Sequence, residues 1–339
     1  MFVMKKFLFR TIAAVCVTSL GAAAANAGTI TAYTSLEEDD VRIYLESFSA
    51  SHPDITVNVL RLSTGDLGAR MLAEKSNPQH DLIWGWAVTQ MVDPRILEMV
   101  EPYAPNGIDK VNDVYKDADG RWFATTGYLA GFCVNKEVLE KKGLPMPTSW
   151  QDLLSPVYKG ELVMPNPASS GTGYLQIASL LQMKGEEEGW KFLEELDKNM
   201  AQYIKSGSKP CKVAAAGEYA IGASFAFSAI KQIIEGYPLA LVIPSEGAGY
   251  ELEASALMKT SGNKEDAKKF LDWLLTLDAA KLYAERAAMS SVPGARAPDE
   301  VLAAGLPEDV PSVLYRMDFD WSAANKERIL AEWQKRIER

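Results

Sequence analysis

Histidine is nearly missing. The 339 residues include only His52 and His80, so a His-rich metal centre is excluded. A Ser-His-Asp triad would have to use one of these two. His52 stands in the turn His52-Pro53-Asp54 and His80 just before a strand, places that give histidine a surface or turn role. Cysteine is almost as scarce: beyond Cys16 near the N-terminus, only Cys133 and Cys211 occur. Two thiols cannot form a four-cysteine zinc site. In an exported chain they most simply make one disulfide. After residue 27 no run is apolar enough to span a bilayer, which implies a soluble mature protein. No G-x-S-x-G elbow, Walker loop, H-E-x-x-H or strand-borne G-x-G-x-x-G appears, so nothing nominates an enzyme or a cofactor. Internal repeats, low-complexity tracts and Gly/Ser linkers are missing too.

What is present begins with an export signal. Lys5, Lys6 and Arg10 precede an apolar run over 11–25, followed by the A-x-A pattern Ala25-Asn26-Ala27. This reads as a cleaved signal peptide over residues 1–27. Cys16 follows Val15 rather than a small residue, which argues against a lipoprotein. The segment carries three cations and no acids, so its removal takes the formal charge from −10 to −13. Such a chain is a poor general binder of nucleic acid, which needs a basic face. A hydrophobic content of 47% excludes disorder. A chain of ~300 residues usually divides into two domains.

The mature chain alternates strand and helix. Strands are expected over 29–34, 55–62 and 81–84, with helices over 38–49 and 64–75 between them. That βαβαβ order points to a mostly parallel sheet covered by helices on both faces. The aromatic and β-branched stretch 121–135 has room for two extended segments. A second αβ set follows, with strands near 162–164, 220–223 and 240–243 and helices over 172–183, 186–199 and 228–235. Residues 253–258 read as a strand, and 264–275, 279–287 and 322–337 as helices.

Three corners of this pattern carry hydroxyls and glycines between a strand and a helix. They are Thr34-Ser35, Ser63-Thr64-Gly65 and Ser169-Ser170-Gly171-Thr172. In open α/β sheets, ligands bind beyond the carboxyl ends of the strands, where helix N-termini offer unpaired N–H groups. One corner alone is an ordinary N-cap. Three together, drawn from two αβ sets, can surround a tetrahedral anion. Trp86, Tyr128, Phe225 and Phe227 are candidates to wall the cleft. Glu251 and Glu253 alternate on one strand, where they either bind ligand hydroxyls or an amine, or face solvent.

The stretches TAYTSLEEDD (31–40), STGDLGARMLAEKSNPQHDLIWG (63–85), MPNPASSGTGYL (164–175), SGSKPCKVAAAGEYAIG (206–222) and DFDWSAANKERILAEW (318–333) carry a family likeness. The chain resembles the periplasmic solute-binding proteins of ABC importers, in the branch that holds ferric-ion, 2-aminoethylphosphonate and organophosphate binders. The resemblance implies an α/β fold of type II with two lobes. Each lobe would be a mostly parallel sheet flanked by helices, with the ligand in the cleft. Lobe 1 would hold residues 28–125 and 251–290, and lobe 2 residues 126–250 and 291–339. It also implies no catalysis, a periplasmic and monomeric receptor, and delivery of a small anionic solute to a membrane permease.

The anion would lie among Ser35, Ser63, Thr64, Ser169, Ser170, Gly171 and Thr172. Trp86, Thr126, Tyr128, Ser224 and Glu251 would complete the site, and Cys133 and Cys211 match the branch's cysteine pair. Two departures shape the expected ligand. Ferric binders use a neighbouring tyrosine pair, where this chain reads Ser224-Phe225-Ala226-Phe227 and supplies no phenolate oxygen. Aminoethylphosphonate binders carry acids where this chain has Thr126 and Ala226. The expectation is therefore a phosphonate or a phosphate ester such as a sugar phosphate, with ferric iron or a ferric chelate as the alternative.

Overall fold

The computed structural model describes residues 28–337. The signal peptide expected over residues 1–27, with Cys16, lies outside the described residues. The first part runs β1 (Gly28–Thr34), α1 (Glu38–Ser51), β2 (Ile55–Arg61), α2 (Thr64–Ala73), β3 (Leu82–Ala87), α3 (Val88–Met91), α4 (Pro94–Leu97) and β4 (Val100–Glu101). A long strand β5 (Phe123–Asn135) follows, then α5 (Lys136–Lys142), β6 (Leu162–Pro165), α6 (Gly171–Lys184), α7 (Glu186–Asp197) and β7 (Met200–Ile204). Next come α8 (Lys209–Ala215), β8 (Ile221–Phe225), α9 (Ala226–Ile234), β9 (Leu239–Val242) and β10 (Tyr250–Met258). The chain ends with α10 (Lys264–Trp273), α11 (Leu277–Arg286), β11 (Met289–Ser290), α12 (Asp299–Ala303) and α13 (Phe319–Arg336).

The strands follow the order β2-β1-β3-β10-β5-β8-β6-β7. At one end β2, β1 and β3 are parallel, and at the other β8, β6 and β7 are parallel. Between them β10 and β5 run antiparallel. The two halves meet on β5: residues 123–129 pair with β10, and residues 130–135 pair with β8 and β9. The sequence left room for two extended segments here, and the structure has one unbroken strand. Its glycines mark close approach rather than a break. A Cβ on Gly127 would lie 2.8 Å from Glu251 O, so the neighbouring strand can pack there only against glycine.

Each half has its own core. In the first, Phe270 meets Phe48 and Trp84 edge-on at centroid distances of 4.9 and 5.1 Å. In the second, Phe132 meets Trp150 at 4.8 Å, and Trp333 of α13 is buried beside Tyr203. Such aromatic pairs add to the large apolar area each ring buries. Cys133 of β5 and Cys211 of α8 form a disulfide within the second half, with Cα atoms 5.2 Å apart. Among the described residues no helix is long and apolar enough to cross a membrane.

Candidate functional site

A cavity opens between the two halves, at the carboxyl ends of β1, β2 and β6. Ser35, Ser63 and Thr64 line it from the first half, and Ser170, Gly171 and Thr172 from the second. Tyr44, Gly127, Tyr128, Phe225 and Phe227 add its aromatic and backbone walls. The three hydroxyl corners thus converge, but they are not equivalent. The first turn of α1 holds Glu38, Asp39 and Asp40, whose charges complement that helix N-terminus and repel an anion. Asp66 is the one acid in the first turn of α2, and it pairs with Lys205 at 2.9 Å. The first turn of α6 carries no acid. The N-termini of α2 and α6, which come from opposite halves, thus carry less negative charge than that of α1.

Those two ends touch. Gly65 N donates to Ser169 O at 3.0 Å. A Cβ on Gly171 would sit 2.7 Å from Thr64 Oγ1, so the approach requires glycine. Ser170 caps α6 by accepting from Gly173 N at 3.3 Å, whereas Ser63 makes no capping bond to α2. Further contacts draw the halves together. Lys231 of α9 donates to Asp40 at 2.7 Å and to Asp39 at 3.0 Å, and Ser208 donates to Glu37 at 3.0 Å.

Two cations line the cavity that sequence reasoning missed. Arg61 ends β2 and donates through Nε to Leu36 O at 3.0 Å. Arg286 ends α11 and lies 3.1 Å from Asp40. Arg61 carried a readable signal, a cation at a strand end just before Ser63-Thr64. Arg286 carried none, because only the tertiary fold brings α11 to the cavity. Three acids also line it: Glu37, Asp40 and Glu253. Burial raises the Asp40 carboxyl, while Lys231 and Arg286 pull it back down. Burial pushes Glu253 up to about 7.

Five of the expected site residues lie outside the cavity lining. Trp86 is buried beneath α2, where its Nε1 donates to Thr64 O at 3.0 Å. Thr126 donates to Glu253 at 2.5 Å. Ser169 turns to Lys205 O at 2.9 Å, and Ser224 to Gly207 O at 2.6 Å. Glu251 is buried against Thr89, whose hydroxyl donates to it at 2.5 Å, and its own pKa is pushed by burial to about 7. Glu253, two residues further on, is the member of that pair that reaches the cavity.

Residues 95–326 match the sequence model of the bacterial extracellular solute-binding proteins. The chain belongs to that family. A Haemophilus influenzae protein is 36% identical over 234 residues, 68% of either chain. A probable ABC transporter periplasmic-binding protein of Sinorhizobium fredii is 28% identical over 68% of this chain and 65% of its own. Among solved structures, the periplasmic binding protein AfuA of Actinobacillus pleuropneumoniae, with fructose-6-phosphate bound, superposes with a TM-score of 0.84. It is 28% identical, covering 92% of this chain and 99% of that one. The ferric binding protein of Campylobacter jejuni has a TM-score of 0.75 at 17% identity, covering 91% and 99%, a likeness of fold alone. The solute-binding protein thus has the type II fold of the periplasmic binding proteins of ABC importers. Receptors of this class hand their solute to membrane permeases.

Proposed function

We propose that this receptor captures a hydroxyl-bearing phosphate ester, such as a sugar phosphate, for import. One observation carries the reading: the N-termini of α2 and α6 meet at the wall of the cavity, with Ser63, Thr64, Ser170 and Thr172 lining it around them. Backbone N–H groups, helix dipoles and hydroxyls there suit a phosphoryl group. Arg61 and Arg286 add positive charge in a protein whose overall balance is negative. Tyr128, Phe225 and Phe227 supply flat apolar walls for a carbon skeleton. The cavity is walled by residues of both halves, which suits one small, enclosed solute. The neighbour solved with fructose-6-phosphate supports the same ligand class.

We further infer two lobes, residues 28–125 with 251–290 and 126–250 with 291–339, that close over the solute about β5 and β10. The receptor acts as a monomer. Native mass spectrometry of the purified protein, followed by release of the ligand in denaturant, tests the reading. A co-purifying phosphate ester is expected. A released polyamine or ferric chelate would contradict it.

A further inference from the structure

We propose that Glu253 selects the organic half of the solute, favouring phosphate esters that carry hydroxyl groups over bare alkyl phosphates. The inference rests on the phosphate-ester reading of the cavity and adds the residue that reads the rest of the molecule. Of the three acids on the cavity wall, two are already held by cations. Glu37 lies 3.4 Å from Arg61, and Asp40 lies 2.7 Å from Lys231 and 3.1 Å from Arg286. Glu253 makes no ion pair among the described residues. Its side-chain partner is Thr126, whose hydroxyl donates to Oε2 at 2.5 Å. Thr126 and Glu253 are cross-strand partners on β5 and β10, so the two central strands fix where this carboxyl stands.

The other oxygen, Oε1, has no protein donor among the described residues, and the side chain is partly open, toward the cavity. Oε1 is open to the cavity, so a ligand that fills the cavity displaces the water there and must supply a donor in its place or leave the oxygen unpaired. A hydroxyl fits this demand better than an ammonium. Burial above all, and then the charges of Asp40, Glu251 and Glu37, push Glu253 toward its neutral form, against the Thr126 hydrogen bond. A neutral carboxyl can both donate to and accept from a hydroxyl, whereas an ammonium needs the ionised form. An alkyl phosphate offers neither and leaves Oε1 unpaired. Sites built to bond a ligand hydroxyl reject analogues that lack it far more strongly than apolar pockets reject a size change.

Calorimetry with glycerol 3-phosphate, propyl phosphate and 3-aminopropyl phosphate tests the inference. Wild type is expected to bind glycerol 3-phosphate at least ~10-fold tighter than propyl phosphate. Glu253→Met should bring the two within about threefold, while Glu253→Gln, which keeps a donor and an acceptor on the same stem, retains part of the preference. Glu253→Ala serves as a second apolar variant if the methionine form does not fold. An apolar variant that ranks the esters as wild type does overturns the inference, as does a wild type that binds the aminopropyl ester tightest. A wild type that binds none of the three overturns the phosphate-ester reading itself, before any variant is made.

Discussion

Thr64 and Gly171 belong to opposite halves of the sheet, yet a Cβ on Gly171 would lie 2.7 Å from Thr64 Oγ1. Gly171→Ala is therefore expected to hold the two helix N-termini apart and, on the proposed lobe closure, to oppose closing over the ligand. Ligand affinity should fall at least ~10-fold, equivalent to about 1.4 kcal/mol. The ligand-free protein should melt no lower than wild type, because alanine suits a helix better than glycine does. Calorimetry and thermal melting of the one variant separate the two effects. An unchanged affinity would show that the close approach plays no part in binding.

Lys231 and Asp40 form an ion pair that joins the two halves, 2.7 Å apart. Lys231→Met removes the cross-cleft cation and leaves Asp40 with Arg286. On the proposed lobe closure the Lys231–Asp40 contact exists in the closed form alone, so the effect belongs in the dissociation rate. Stopped-flow displacement of bound ligand should show release faster by roughly 3- to 10-fold, with a nearly unchanged association rate. Equal release rates would rule out this role for the pair.

His80 is buried in a stack on Tyr33, with ring centroids 4.1 Å apart, and neither ring nitrogen has a hydrogen-bond partner among the described residues. Burial lowers its pKa from 6.5 to about 4. As pH falls through that window the unfolded chain takes up the proton first, so this residue makes stability fall between pH 6.5 and about 4. The full loss is about 3 kcal/mol. Glu251 and Glu253, raised to about 7, act in the opposite sense, because the folded form takes up their protons first as pH falls from 7 toward 4.5. In urea unfolding at pH 7 and pH 4.5, the change in stability on acidification should therefore be more favourable in His80→Phe than in wild type. An equal change in both proteins would contradict the buried neutral histidine.

The disulfide ties β5 to α8 across a sequence separation of 78 residues. In the chain-entropy account, closing a loop of that length stabilises by about 4 kcal/mol. The denatured, unreduced protein should present no reactive thiol from Cys133 or Cys211, and reduction should lower the urea midpoint. Two labelled thiols from these positions would contradict the bridge.

The three hydroxyl corners were legible because strand–turn–helix boundaries are local: the period changes at 34–36, 62–64 and 165–171, and Ser or Thr marks each. What stayed hidden was which side chains face inward. Trp86 and Ser224 sit next to the right loops, but their polar atoms are consumed by backbone carbonyls at 3.0 and 2.6 Å. Glu251 and Glu253 share one strand, and its period of two gave no reason to choose between them. Contacts remote in sequence made the choice: Thr89 takes Glu251 into the core, and Thr126 holds Glu253 at the cavity. Arg286 illustrates the same limit, since its neighbours in sequence form an ordinary helix end.

In the proposed function, one phosphoryl group is held jointly by the N-termini of α2 and α6. Isothermal titration of wild type, Thr64→Val and Ser170→Ala with fructose-6-phosphate and inorganic phosphate, and with ferric citrate as a control, tests this. Wild type should bind the phosphate ester and give no response to ferric citrate. Each variant should lose ~1.5–3 kcal/mol, roughly 10- to 100-fold in affinity, because a charge-assisted hydrogen bond is removed. Binding of the ester by both variants at wild-type strength, or a wild type that responds to ferric citrate alone, would contradict the account.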